Sequence, residues 1–382
     1  MAFFPPRIAI RCLFLLMATT CLYASPDQAS VVPQTAIQVD LDYIYDPDPA
    51  QTTRNLDALI RRIDDLDAST VFLQAFADPD GSGLIKALYF QNRYLPVRSD
   101  LFNRVATAIK QHTQARVFAW MPVLSFDLSS HFDRVMQWDK QPPHTQIQID
   151  NRQYLRLSPF DHNARQAITE IYEDLASANT FDGILFHDDA LMGDYEDASP
   201  AALQAYRRHG LPTNLTELND TAETRSNWLA FKQQALDGLI DQLIARVRKR
   251  KNTSVLTARN IYAQAIADTD AVTWTTQDPA RFLERYDWTL PMAMPRMEGI
   301  SPDQDETWLR NLVAQMARYP DGLSKTIFEL QTKDWSRNGQ AIDTATLQRW
   351  IDTLRQAGAL HIAWYPDDFL QNTPDATLLR TR

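Results

Sequence analysis

The sequence predicts an α/β fold of the (β/α)8, or TIM-like, barrel class. Short apolar runs alternate with amphipathic stretches over most of the chain, which is typical of strands that each lead into a helix. Eight such runs share about 345 residues, a length that suits a single barrel. A doubly wound open sheet is the competing fold. The chain has only ten glycines and no Gly-rich phosphate loop, which weakens that alternative.

Eight strand candidates and six helix candidates carry this prediction. The strands are Ile37–Tyr45, Thr70–Ala77, Arg116–Leu124, Gly183–Asp188, Ser254–Arg259, Trp288–Met294, Thr326–Gln331 and Leu360–Tyr365. The helices fall at about 51–65, 100–113, 162–178, 225–251, 303–318 and 343–357. The stretch from about 125 to 160, rich in Pro, Asp and aromatic residues, is interpreted as an insertion after the third strand.

The N-terminus has the pattern of a secretory signal. Arg7 and Arg11 flank a short apolar core that small residues follow, and the core is too short to span a bilayer comfortably. We expect a signal peptide at 1–24, a linker at 25–36, the barrel at 37–370 and a C-terminal tail at 371–382. The protein is then periplasmic or secreted. Lipid anchoring at Cys21 is the alternative that stays open.

Composition restricts the classes of partner and chemistry. The formal net charge is −10, which argues against nucleic-acid binding and favours a cationic ligand. Both cysteines, Cys12 and Cys21, lie in the predicted signal region, so the body of the chain has neither disulfides nor thiolate catalysis. The scattered histidines do not form a zinc motif, and no cofactor is expected.

The predicted strands end in carboxylates and aromatic residues. In a (β/α)8 barrel these ends form the active site, so the side chains found there should face one another. The stretch from Phe181 to Asp189 is the most informative, because an apolar strand ends in a histidine and two adjacent carboxylates that are costly to bury. The candidate substrate-binding residues are Asp40, Asp42, Tyr43, Asp78, Trp120, His187, Arg259, Asn260, Glu329, Trp364, Tyr365 and Asp367.

Carboxylates combined with aromatic platforms are what a glycosidase requires. One acid protonates the leaving oxygen and a second acts as nucleophile or activates water, while aromatic faces pack on sugar rings. The same groups would bind an ammonium group. Other interpretations stay open. The tryptophans could be core residues, an aspartate could cap a helix, and Asp40, Asp42 and Asp188 could bind a divalent cation.

Ten segments resemble the C-terminal glycoside-hydrolase domain of the PgaB-type poly-β-1,6-N-acetylglucosamine deacetylases. The most specific are Phe186–Ala190 and Ala293–Gly299. In chain order the set comprises Val39–Tyr43, Leu73–Gly81, Ala119–Leu124, Leu157–Phe160, Phe181–Ala190, Tyr195–Ser199, Thr257–Asn260, Pro291–Gly299, Phe328–Gln331 and Tyr365–Phe369.

This resemblance implies a (β/α)8 barrel that cleaves partially deacetylated poly-β-1,6-N-acetylglucosamine internally. That polymer is cationic, and exopolysaccharide export components are a further class of partner. The catalytic acids carried over are Asp188 or Asp189 together with Glu298, with their individual roles open. Deacetylation is not carried over, because we expect no room for a deacetylase domain in this chain. The alternative is a non-catalytic polysaccharide-binding module that guides the same polymer.

Overall fold

Eight parallel strands close into a barrel, which confirms the predicted fold class. The computed structural model describes residues 33–149, 154–177, 180–268 and 275–379, and the predicted signal peptide lies outside these ranges. Each strand pairs with the next along the chain, and the eighth pairs with the first. In chain order the barrel strands are Thr35–Val39, Thr70–Gln74, Arg116–Met121, Gly183–Phe186, Leu256–Tyr262, Trp288–Met292, Ile327–Gln331 and His361–Tyr365.

All six predicted helices are present, and shorter helices accompany them. The predicted six are Pro49–Asp65, Phe102–His112, His162–Ala176, Ala222–Lys251, Asp305–Met316 and Thr344–Gln356. The others are Leu41–Ile44, Pro200–Arg208, Leu215–Leu218, Gln264–Ala267, Pro279–Arg285, Ala376–Leu379 and the 3-10 turn Trp335–Arg337. Two of the unpredicted helices begin with a capping residue followed by proline, at Ser199-Pro200 and Asp278-Pro279.

The boundaries differ from the prediction at both ends of the barrel. The first strand starts at Thr35, inside the predicted linker, and residues 41–44 are a short helix rather than strand. The predicted tail belongs to the barrel as far as it is described. Arg62 donates from Nη1 to Asn372 Oδ1 (2.7 Å) and from Nη2 to the Pro374 carbonyl (2.6 Å), which ties this segment to the helix Pro49–Asp65.

Among the described residues, three small antiparallel strand pairs lie outside the barrel sheet. Within the predicted insertion, Met136–Trp138 pairs with Ile147–Ile149. The other two pairs lie beyond strand ends, where Phe76–Ala77 meets Ala87–Leu88 and Lys333–Asp334 meets Gln340–Ala341. Among the described residues, no helix combines the length and apolar character needed to cross a membrane.

Both faces of the barrel wall are buried, as expected for parallel strands covered by helices. Residues that alternate along a strand point either into the barrel or out toward the helices. Inside the barrel, the rings of Phe72 and Phe118 meet edge to face with centroids 5.4 Å apart. Gly183 lies against this pair, because a Cβ atom there would come within 2.3 Å of the Phe118 ring.

We predict opposite effects for two glycine-to-alanine changes. Gly183→Ala forces a methyl group into the packed Phe118 ring and should lower the free energy of unfolding by about 1–3 kcal/mol. Gly238→Ala lies at an exposed position of the helix Ala222–Lys251, where the nearest atom to the new methyl group is Arg165 Nη2 at 4.0 Å, and should raise the free energy of unfolding by about 0.5–1 kcal/mol. Urea unfolding of both variants checks this, and equal effects would contradict the packing described.

Candidate active site

A cavity of about 550 Å³ lies at the carboxyl ends of the barrel strands. Most residues predicted to form the site line it, and the lining as a whole draws on all eight strands and the loops that follow them. The predicted residues in its lining are Asp40, Asp42, Tyr43, Asp78, Trp120, His187, Asp188, Asn260, Glu329 and Tyr365.

Asp188 faces the cavity and is paired with His187. The His187 Nδ1 lies 2.9 Å from Asp188 Oδ1. The backbone N–H of Asp189 also lies 3.3 Å from this Nδ1, but a nitrogen that donates to a carboxylate has no lone pair left to accept. We therefore assign the Nδ1 proton to the shorter contact.

Each member of this pair stabilises the charged form of the other. Burial alone would lower the pKa of His187, but the Asp188 charge and hydrogen bonds to Asp188 and Asp189 outweigh it and raise that pKa to about 10. Burial would likewise raise the pKa of Asp188, whereas the His187 charge and hydrogen bonds from His187, Tyr262 and Tyr154 bring it below its usual value. Asp188 is therefore an ionised carboxylate inside a largely buried site.

Two tyrosines complete the surroundings of Asp188. The Tyr154 hydroxyl lies 3.2 Å from Oδ1 and 3.4 Å from Oδ2, and Tyr262 also donates to this carboxylate. Burial and the Asp188 charge raise the pKa of both phenols well above their usual value, so both remain protonated donors. Because these donors and His187 hold it from several sides, the Asp188 carboxylate has a fixed orientation.

Two further carboxyl groups in the cavity favour the protonated form. Burial and the Asp188 charge raise the pKa of Glu329 to about 8, and its Oε2 accepts from Asn260 Nδ2 at 2.9 Å. Burial and the neighbouring Asp42 raise the pKa of Asp40 to about 7. The second oxygens, Glu329 Oε1 and Asp40 Oδ1, have no hydrogen-bond partner among the described residues.

Four buried polar atoms of the cavity residues therefore have no partner in the described part of the chain. Besides these two oxygens, they are the Gln38 Oε1 acceptor and the Trp120 Nε1 donor. A buried polar atom without a partner is costly, so a set of them in one cavity indicates a polar ligand. The Gln38 oxygen accepts and the Trp120 nitrogen donates, while each carboxyl oxygen accepts when its group is ionised and can donate when it is protonated, so the set suits a ligand with several polar groups.

Aromatic rings form the walls. Trp120 stacks on His187 with centroids 5.3 Å apart and meets Tyr365 edge to face at 5.2 Å. At the mouth, Trp335 stacks on Tyr365 at 6.1 Å while 43% of its surface is exposed. These faces can pack against sugar rings.

Asp189 and Arg259 lie outside the cavity lining. The fully buried Asp189 carboxylate accepts backbone N–H groups of Val123, Leu124 and Ser125, at distances between 2.7 and 3.1 Å, and so joins the ends of the third and fourth strands. Arg259 points out of the barrel, where it donates to the Tyr286 hydroxyl (2.9 Å) and the Ala190 carbonyl (2.7 Å).

Trp364 and Asp367 also lie outside the lining, on the outer side of the eighth strand. Trp364 is buried and donates from Nε1 to Asp367 Oδ2 at 2.7 Å. Asp367 forms a fully buried ion pair with Arg62, whose Nη2 lies 2.9 Å away. Tyr365, the next residue after Trp364, faces the cavity because neighbouring strand residues point to opposite faces.

Glu298 lies beside the cavity rather than in its lining. It belongs to a tight turn after the sixth strand, where its N–H donates to the Met294 carbonyl at 3.1 Å. Met294 and Met297 of the same turn line the cavity. Burial raises the pKa of Glu298, while a hydrogen bond with the Gln264 side chain opposes the rise.

The sequence-based prediction missed several cavity residues, among them Gln38, Tyr154 and Lys333. Gln38 shares the inward face of the first strand with Asp40, so the two-residue period could have identified it. Tyr154 lies in the segment interpreted as an insertion. Lys333 donates from Nζ to the Tyr43 hydroxyl at 2.9 Å and lies 3.6 Å from Asp368, and nothing in the local pattern distinguishes it from a surface lysine.

A (β/α)8 barrel that gathers carboxylates and aromatic rings in one cavity at its strand ends is typical of glycoside hydrolases. The chain belongs to the family described as hypothetical glycosyl hydrolase family 13 (GHL13), which matches residues 38–365. It is 44% identical over 352 residues to a poly-β-1,6-N-acetyl-D-glucosamine N-deacetylase of Escherichia coli K12, covering 91% of this chain. The match covers 52% of that relative, so the chain spans about half its length.

Solved structures agree with this assignment. The PgaB (BpsB) glycoside hydrolase domain of Bordetella bronchiseptica is 45% identical, with a TM-score of 0.84 over 91% of this chain and 98% of that one. An α-L-fucosidase, isoenzyme 2 from Paenibacillus thiaminolyticus, has a TM-score of 0.61 at 12% identity over 91% of this chain and 48% of that one, a likeness of fold alone. The protein is therefore a glycosidase related to PgaB hydrolase domains.

We predict that Asp367 stabilises the barrel without taking part in turnover. Asp367→Asn leaves Arg62 buried beside a neutral partner and should cost about 3–5 kcal/mol of unfolding free energy, with kcat and KM of the folded enzyme unchanged. Asp352→Asn, at an exposed helix position, is the control and should change stability by less than about 0.5 kcal/mol. A lower kcat in Asp367→Asn at a temperature where the variant stays folded would mean that this residue takes part in catalysis.

Proposed function

We propose that the protein is an endo-acting glycosidase, which cleaves internal linkages of partially deacetylated poly-β-1,6-N-acetylglucosamine. The acidic lining of the cavity is the observation that supports this proposal. Its lining contains Asp40, Asp42, Asp78, Asp80, Asp188 and Glu329, against the cations Lys333 and His187. The name of the Escherichia coli relative indicates which polymer to test as the substrate, since that protein acts on poly-β-1,6-N-acetyl-D-glucosamine.

Free glucosamine units would give the polymer ammonium groups that suit this lining. An ammonium group has three donors and no acceptor, which matches the unpartnered oxygen of Gln38 and, because a nearby positive charge favours their ionised form, the unpartnered oxygens of Asp40 and Glu329. Carboxylates and aromatic faces stabilise such a cation by ion pairing and cation–π contact. Fully acetylated polymer lacks this charge and should bind more weakly.

Asp188 and Glu298 are the catalytic carboxylates in this proposal, with opposite protonation states. Asp188 is ionised because His187 and two phenols stabilise its charge, which suits a nucleophile or a base. Glu298 has a raised pKa, which suits the proton donor to the leaving oxygen. Glu329 competes for the donor role because its pKa is also raised and it lines the cavity.

Export through the predicted N-terminal signal would bring the enzyme to the compartment where an exopolysaccharide is found. Deacetylation is not part of the proposal, because the region shared with the longer relatives is the hydrolase barrel. Partnership with export components stays a prediction from sequence.

Cleavage of defined polymers tests the substrate. Purified enzyme incubated with partially deacetylated polymer should give short oligosaccharides by mass analysis, whereas fully acetylated polymer should remain intact. Asp188→Asn and Glu298→Gln should each lower kcat by about 10²-fold or more. Glu329→Gln should act mainly on KM. Intact polymer that nonetheless binds the protein would favour the binding-module alternative, and loss of kcat in Glu329→Gln alone would move the donor role to Glu329.

The pH profile tests the two roles. Activity should fall at acid pH as Asp188 is protonated, at a pH below the usual range because its pKa is lowered. It should also fall on the alkaline side as Glu298 loses its proton, at a pH above the usual carboxyl range because its pKa is raised. The residual activity of Glu298→Gln should lack the alkaline limb, and the limb should persist in Glu329→Gln. The reverse pattern would contradict the assignment.

A further inference from the structure

The loop that follows the fourth strand, residues 187–199, carries Asp188 and is itself mostly buried. A buried loop must find partners for its backbone carbonyls, because it has neither helix nor sheet to supply them. Three cations provide some of these partners. Arg259 donates to the Ala190 carbonyl (2.7 Å), Arg156 to the Leu191 carbonyl (2.5 Å), and Lys232 to the Gly193 (2.8 Å) and Glu196 (2.6 Å) carbonyls.

Lys232 is the most unusual of the three. It lies on the long helix Ala222–Lys251, its side chain is fully buried, and its Nζ lies 3.8 Å from the centroid of the Trp228 ring. Burial lowers its pKa to about 7, which shows how costly its charge is here. A neutral apolar residue would fill the same space at lower cost, so stability alone is a weak reason for a lysine at this position.

A series of hydrogen bonds connects Lys232 to Asp188. The Glu196 carboxylate accepts from the Gly193 N–H at 2.8 Å and from Arg156 Nη2 at 2.6 Å. Arg156 Nε in turn donates to the Tyr154 carbonyl at 3.3 Å, and the Tyr154 hydroxyl contacts Asp188. Lys232 thus lies at one end of a hydrogen-bond network, and the Tyr154 hydroxyl that orients the Asp188 carboxylate lies at the other.

We infer that Lys232 is a positioning residue for catalysis, which fixes the 187–199 loop and through it Asp188 while lying outside the cavity. This inference rests on the proposed role of Asp188. Without the Lys232 donors, the carbonyls of Gly193 and Glu196 lose the group that joins them, and the Asp188 carboxylate can adopt more orientations. Since a misplacement of about 1 Å at a reacting group can cost about 10²-fold in rate, the loss should appear in kcat.

The chain offers a matched control in Lys251. This lysine lies on the same helix, donates to the Phe181 carbonyl at 2.8 Å, and has its Nζ 3.8 Å from the centroid of the Phe181 ring. It therefore makes the same kinds of contact, but at the start of the fourth strand, at the opposite end of the barrel from Asp188. Methionine keeps the length and packing of either lysine and removes the donors.

Steady-state kinetics and hydrogen exchange of the two variants test the inference. Lys232→Met should lower kcat about tenfold to a hundredfold with KM within about twofold, whereas Lys251→Met should keep both, at a temperature where both are folded. Peptides covering 187–199 should exchange faster only in Lys232→Met. Lys232→Gln, which keeps a donor, replaces Lys232→Met if that variant does not fold, and should lose less activity.

The outcomes separate the inference from the proposed function. Equal kinetics in the two methionine variants, or unchanged exchange of 187–199 in Lys232→Met, would overturn the positioning role. A wild-type enzyme that leaves every polymer intact would overturn the proposed function instead. In that case the exchange comparison decides whether Lys232 orders the loop.

Discussion

The ion pair between His187 and Asp188 is the interaction on which the rest of the site depends. A carboxylate in a largely buried cavity would ordinarily take up a proton, and the imidazolium 2.9 Å away prevents this. Burial, together with the Asp188 charge, raises the pKa of Glu329 and of the two phenols, so Glu329 favours its protonated form and the phenols remain donors. This paired charge therefore acts together with burial on the protonation states of Glu329, Tyr154 and Tyr262, and so affects which of these groups can donate and which can accept.

The barrel was predictable because its signal is repeated eight times. Six of the eight apolar runs are followed by a predicted amphipathic helix, and an error of a few residues at one boundary does not change the order of the elements. The convergence of the strand ends follows from the same topology, which is why residues as far apart in sequence as Asp40, Asp188 and Glu329 could be predicted to share one cavity.

The orientation of individual side chains was less predictable, and strand parity explains most of the differences. Trp364 and Arg259 each stand next to a cavity residue and therefore point outward, Trp364 to Asp367 in the loop after its own strand and Arg259 to Tyr286. Asp189 follows Asp188 directly but turns to the backbone of Val123–Ser125. Tyr154 reaches the cavity from an irregular segment, where no periodicity exists to indicate direction. The network around Lys232 depends on the path of a loop, which local sequence does not determine.

The charge of His187 tests this account most directly. Nitrogen-15 NMR of histidine-labelled protein, with His187→Asn to assign the resonance, measures the protonation of both ring nitrogens across the pH range. The account predicts an imidazolium that stays protonated at both nitrogens well above the usual histidine pKa of about 6.5. A neutral ring at pH 7.5 would mean that Asp188 has no counter-charge, and the assignment of ionised and protonated carboxyl groups in the cavity would then be wrong.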